Sequence, residues 1–156
     1  VNGWLLAAAV VLAVGVAPAL WGATTGPLRR RVVAQNLATL LVCLVMLLLA
    51  QGYARPSYID LGLVLAVLGP AGTLVYARLL ADELAADPPT ARVTSAMTVL
   101  SAAAPPLVVL PLCVATGPER SLVKLLVIGA LLTAGNTISG RAVSGKSSLP
   151  REAHDG

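Results

Sequence analysis

Charge is what this chain has least of. Lys, Arg, Asp and Glu make up 12% of its 156 residues, whereas a soluble domain carries about 25%. Phenylalanine is absent, aromatics reach 3%, and there are one histidine and two cysteines. Each scarcity removes a class of function. His154 stands alone in a polar tail. No Ser-His-Asp set, paired carboxylates or phosphate-binding glycine loop is present, so covalent or acid–base catalysis has nothing to work with and no enzyme is expected. Cys43 and Cys113 sit inside apolar runs without metal-ligand spacing. Each reads as a small hydrophobe, and no disulfide, metal or cofactor is expected. The net charge of +4 comes from short clusters between apolar runs. That pattern fits contact with anionic lipid headgroups and argues against nucleic acid.

What is there in abundance is long apolar sequence. The chain is 57% hydrophobic with a mean hydropathy of +0.85. The runs are Trp4–Trp21, Val32–Ala50, Ile59–Leu80, Val93–Ala115 and Leu122–Ser139. Each approaches the ~20 residues that cross ~30 Å of hydrocarbon, and lipid obliges such segments to be helical. The fold class is therefore an all-α integral membrane protein with five transmembrane helices. The fourth run is the least regular, with Pro105, Pro106 and Pro111 inside it. The first run has no basic residue before it and Arg29-Arg30-Arg31 after it, which reads as a retained span with its N-terminus outside rather than a signal peptide. Five spans then put eight basic residues inside (Arg29, Arg30, Arg31, Arg78, Arg92, Arg141, Lys146, Arg151) and three outside (Arg55, Arg120, Lys124). The bias predicts N-terminus out and C-terminus in. Trp4, Trp21, Tyr53, Tyr58 and Tyr76 lie near span ends as interfacial anchors.

The third run raises a specific question. It opens with Ser57-Tyr58-Ile59-Asp60 and carries Gly69-Pro70-Ala71-Gly72 at its centre. Asp60 suits a capped first turn, since S-x-x-D resembles a capping box. It also suits the outer mouth of a cation pathway, because acids near hydrocarbon are expensive and often functional. Pro70 cannot donate to the Ala66 carbonyl, so the helix is expected to bend or open near the midplane. Gly69 and Gly72 would admit a neighbouring helix. Small and polar residues also form stripes: Asn36, Thr39, Cys43, Met46 and Ala50 in the second run; Gly62, Ala66, Gly69 and Thr73 in the third; Gly129, Thr133, Asn136 and Gly140 in the fifth. Spacings of three and four put each set on one helix face, as helix packing in lipid requires. Leu47-Leu48-Leu49 and Leu125-Leu126-Val127-Ile128 are expected to face lipid or a larger neighbour.

"GPLRRRVVAQNLATLLV" followed by "YIDLGLVLAVLGPAGTLVYARLL" resembles the small F subunit of Mrp-type cation/proton antiporters. Gly26, Pro27, Arg31, Val32, Val33 and Ala34 match the first part of that pattern, and Asp60, Leu68, Gly69, Gly72 and Thr73 the second. The resemblance covers residues 3–83. More weakly, "VKLLVIGALLTAGNTISGRA" and "DPPTARVTSAMTVLS" resemble the G subunit of the same complexes, over residues 87–143. The resemblance divides the chain into an F-like three-helix part (1–84), a G-like hairpin (85–143, entered through the Ala85–Ala91 linker) and a disordered inner tail (144–156). Where the family pattern has acids, this chain has Arg30 and Asn36, and where histidines are expected it has Thr94 and Ser139. The resemblance implies an accessory subunit of a multisubunit monovalent cation (Na⁺)/proton antiporter in a bacterial cell membrane. It would pack against the large subunits on which exchange depends and line part of a cation route. Asp60, Asn36, Gly69, Pro70, Gly72 and Thr73 are the candidate ion-route or helix-packing residues. The other expected partners are membrane lipid and a monovalent cation. The alternatives are a small homo-oligomeric transporter or channel and a membrane scaffold without an ion role.

Overall fold

A computed structural model describes residues 2–86, 92–118 and 120–144, with the backbone alone for 92–95 and 142–144. Expectations for residues 87–91 of the linker, for the Thr94 side chain and for the 145–156 tail, with Lys146, Arg151 and His154, lie outside the described residues.

The described chain is helical throughout its ordered elements: α1 (Gly3–Thr24), α2 (Leu28–Gly52), α3 (Ser57–Leu79), the short α4 (Ala81–Ala86), α5 (Arg92–Thr116) and α6 (Arg120–Ser144). All but α4 contain a stretch long and apolar enough to cross a membrane, and α5 does so over Ala96–Thr116 despite its three prolines. The five expected spans are thus present, with ends displaced by a few residues.

Local chemistry explains the joints. In α1 the segment Val11–Val16 widens into a π-helix, and the Ala17 N–H reaches back five residues to the Leu12 carbonyl. Pro18 follows and has no N–H to offer, so the wider turn absorbs the missing bond. The Thr24 and Thr25 hydroxyls donate to the Trp21 carbonyl and close the end of α1. Gly26 then takes φ +92°, a left-handed conformation that glycine adopts freely, and Pro27 sets the entry to α2.

Helix α2 is the axis of the bundle. In its most apolar stretch 61% of residues are buried, against 17–28% in the other four spans. It packs against α1, α3 and α5, while α6 fills the space between α3 and α5. One apolar cluster runs through all five, from Ala8 through Leu44 and Leu112 to Leu132. This arrangement corrects one expectation. Leu47 and Leu48 are buried at 1% and 3% exposure, and Leu125 and Ile128 are also buried, so these residues form the core. Only Leu126 and Val127 from those runs face outward. A central helix meets neighbours along most of its surface, so its Leu-rich face meets protein where a peripheral helix would meet lipid.

The helices alternate in direction. Asn2 Nδ2 donates to the Gly52 carbonyl (3.1 Å), which ties the start of α1 to the end of α2. The starts of α3 and α6 meet at the same end through Lys124 and Asp60. That end also carries Arg55 and Arg120. The opposite end carries Arg29, Arg30, Arg31, Arg78 and Arg141, and α4 packs there through Leu84 on Val32 of α2 and Ala77 of α3. These are called the Asn2 end and the Arg31 end below.

Candidate functional site: a neutral polar layer in the bundle core

The buried seam of α2, α3 and α6 changes character along the membrane axis. Toward the Asn2 end it is apolar: Leu40, Leu44 and Leu47 from α2, Ile59 and Ala66 from α3, and Leu125, Ile128 and Leu132 from α6. Toward the Arg31 end it becomes polar, with Asn36, Thr73, Asn136 and Ser139. The change falls on one turn of each helix, because Asn36 precedes Leu40 by four residues and Asn136 follows Leu132 by four.

Three helices join at this layer. Asn36 Nδ2 donates to Asn136 Oδ1 at 3.4 Å. The Thr73 hydroxyl shares its one proton between Asn36 Oδ1 (3.2 Å) and the Gly69 carbonyl (3.1 Å). Beside these groups lies a void of ≈ 10 Å³, bounded by Asn36, Thr39, Leu40, Leu65, Gly69, Pro70, Leu132 and Asn136. That is about the least volume in which one water molecule fits. Pro70 leaves the Ala66 carbonyl without its helical donor nearby. The layer therefore holds amides, hydroxyls and carbonyls, and none of these residues titrates. It presents oxygen acceptors beside a void of about one water's size, and it has no group of its own that stores a proton.

Of the expected site residues, Asn36, Gly69, Pro70 and Thr73 come together here. Gly69 allows the close approach its sequence position implied: a Cβ built on it would lie 3.0 Å from Thr39 Cγ2. Gly72 does not serve this purpose within the chain, since a Cβ there meets nothing within 4 Å. It lines an open cleft instead, together with Gly69 and Thr73. Helix α3 runs unbroken through Gly69-Pro70, so an interrupted helix is absent here. The proline ring is accommodated by a neighbour that the stripes omit. Gly135 of α6 packs directly on Pro70, and a Cβ at Gly135 would lie 2.7 Å from Pro70 Cβ and closer still to Cγ.

Asp60 is elsewhere. It precedes Gly69 by nine residues, ~14 Å along the helix, and its Oδ1 receives a 2.7 Å hydrogen bond from Lys124 Nζ. The capping box is not formed: Pro56 occupies the cap position, and no side-chain cap bond is made. With side chains 48% and 61% exposed, the Lys124–Asp60 pair is solvated and contributes no more than about 1 kcal/mol. It neutralises Asp60, the acid expected at a cation mouth. Sequence reasoning placed Lys124 only in a charge count. The available signal was that it is the sole charged residue between Arg120 and Arg141. Asn136 was visible as the only amide in α6, yet its partner lies 100 residues away. Ser139, at 1% exposure, follows one turn later, and its hydroxyl has no hydrogen-bond partner among the described residues. Cys43 is fully buried and donates its S–H to the Gly62 carbonyl (3.1 Å), which fits the small-hydrophobe reading.

No curated protein and no solved structure matches the chain. Residues 30–81, from the first turn of α2 through the start of α4, match the family model of Multiple resistance and pH regulation protein F (MrpF / PhaF).

Proposed function

We propose that this chain is an accessory membrane subunit of a multisubunit monovalent cation/proton antiporter. The observation that carries the reading is the family match over residues 30–81, the stretch that contains Asn36, Asp60, Gly69, Pro70, Gly72 and Thr73. The chain contributes helices and a neutral polar layer, and the proton-carrying groups belong to its larger partners. The layer at Asn36, Thr73 and Asn136 borders a cation route and is approached from the Arg31 end, because Leu40, Leu65 and Leu132 close the other side. Asp60 ties α3 to α6. The basic bias puts the Arg31 end in the cytoplasm, with the N-terminus outside. Residues 85–143 act as a second, G-like part that packs on the first.

The test is affinity purification from native membranes in mild detergent, followed by mass spectrometry. The expected result is large polytopic antiporter-like subunits in stoichiometric amounts. A clean homo-oligomer, or Na⁺/H⁺ exchange by the purified chain alone in liposomes, would refute the subunit reading. For the orientation, Ala54→Cys should react with a membrane-impermeant maleimide added outside intact cells, and Arg141→Cys should not.

A further inference from the structure

Beside the polar layer, and sharing Gly69 and Thr73 with it, lies an open cleft of ≈ 640 Å³ between α2 and α3, with Ala23 of α1 at one end. We propose that it is a binding site for one anionic phospholipid of the leaflet at the Arg31 end. This inference is independent of the subunit reading.

Depth is the first argument. On α2 the lining runs from Leu28 to Thr39, and on α3 from Tyr76 back to Leu65, with Leu80 just beyond the helix end. At 1.5 Å per residue each is ~16 Å, about half of the ~30 Å hydrocarbon thickness. The cleft starts at the interface and stops at the midplane, so it matches a single leaflet. A transmembrane helix of another protein would need a groove twice as long.

Chemistry is the second argument. The deep end is apolar, with Leu65 and Leu68, and Gly72 keeps its floor open. The mouth is cationic. Arg31 Nε donates to the Ala23 carbonyl (3.1 Å), which holds the guanidinium over the opening. Its two terminal NH₂ groups have no partner among the described residues, a fork that matches phosphate oxygens. Gln35, one turn deeper on the same face, lies at the depth of the glycerol esters. Tyr76, 55% exposed, flanks the mouth as interfacial tyrosines do. Among the described residues no acid lines the cleft; Asp82 and Glu83 of the adjacent α4 lie outside it.

Native mass spectrometry of the full chain in detergent tests this, with phosphatidylglycerol and phosphatidylethanolamine of identical acyl chains as probes. One phosphatidylglycerol should be retained in preference. Arg31→Gln should weaken that retention about five- to tenfold. Gly72→Leu should abolish it while the melting temperature stays the same, because the added side chain enters open space. Arg141→Gln, which removes an equal charge from outside the cleft, should leave it unchanged. Equal losses in Arg31→Gln and Arg141→Gln would reduce the effect to diffuse electrostatics and overturn the site. So would retention without headgroup preference. A Gly72→Cys variant that cross-links to another polypeptide in native membranes would show that protein covers the cleft, and would also overturn the proposal.

Discussion

Replacing Gly135 by alanine adds one methyl group and should be among the most damaging conservative changes in the bundle. The new Cβ would sit 2.7 Å from Pro70 Cβ, whereas carbon atoms rest at about 3.5–4.0 Å. The obstacle is a ring fused to the backbone of α3, so no rotamer change relieves it. The helices must part by roughly 1 Å. Overpacking of this kind costs about 1–3 kcal/mol. The same displacement carries Asn136 away from Asn36, where the bond is already 3.4 Å long, and forfeits a further ~0.6 kcal/mol typical of such bonds in membranes. A total of about 1.5–3.5 kcal/mol corresponds to a fall in melting temperature of several degrees, on the order of 2–4 °C per kcal/mol for a chain of this size. In a Cys113→Ser background, a dye that fluoresces on reacting with cysteine reports unfolding as the buried Cys43 becomes exposed. Gly72→Ala and Gly140→Ala are controls, because a Cβ at either meets nothing within 4 Å. Pro70→Gly removes every clashing atom, so Gly135→Ala should cost little in that background, which is the coupling a double-mutant cycle measures. The reasoning fails if Gly135→Ala melts with the two controls, or if Pro70→Gly does not suppress its effect.

Four further outcomes are expected. Asn36→Leu should destabilise the detergent-solubilised chain by about 0.6–1.7 kcal/mol in chemical denaturation, the range for interhelical hydrogen bonds in membranes; a neutral result would show that the layer does not hold the helices. Asp60→Asn and Lys124→Gln should each cost less than about 1 kcal/mol, and the exchange Asp60→Lys with Lys124→Asp should recover the loss; a loss of cation tolerance in cells carrying Asp60→Asn, with stability intact, would restore a role for Asp60 at a cation mouth. Cys113, only partly buried, should react with N-ethylmaleimide in the folded protein, while Cys43 should react only after denaturation; comparable rates would contradict the central position of α2. Gly129→Ala, whose Cβ would lie 3.1 Å from Val109 Cγ1, should cost less than Gly135→Ala, since a valine methyl yields more readily than a proline ring; the reverse order in the same melting assay would argue against that contact.

Much of this architecture was legible because it is set locally. A run of about 20 apolar residues must become a helix wherever lipid surrounds it, so five spans, their breaks near Gly26 and Gly117, and the grouping of arginines follow from composition along the chain. The face of α3 carrying Gly62, Ala66, Gly69 and Thr73 was also readable, since spacing alone brings small residues to one side. Hydropathy does not tell lipid from protein interior, however, because both reward the same side chains. Leu47 and Leu48 are as apolar as any lipid-facing pair, and only the packing of α1, α3 and α5 around α2 made them core. Pairings across the bundle were equally hidden. Asp60 could have capped its helix, attracted a cation or bound a lysine, and the choice depended on where a residue 64 positions later arrived. Asn36 met Asn136, and Pro70 met Gly135, for the same reason. The sequence by itself determined which segments cross the membrane; the rotation of each helix about its axis, settled only when all five packed together, decided what each polar or small residue touches.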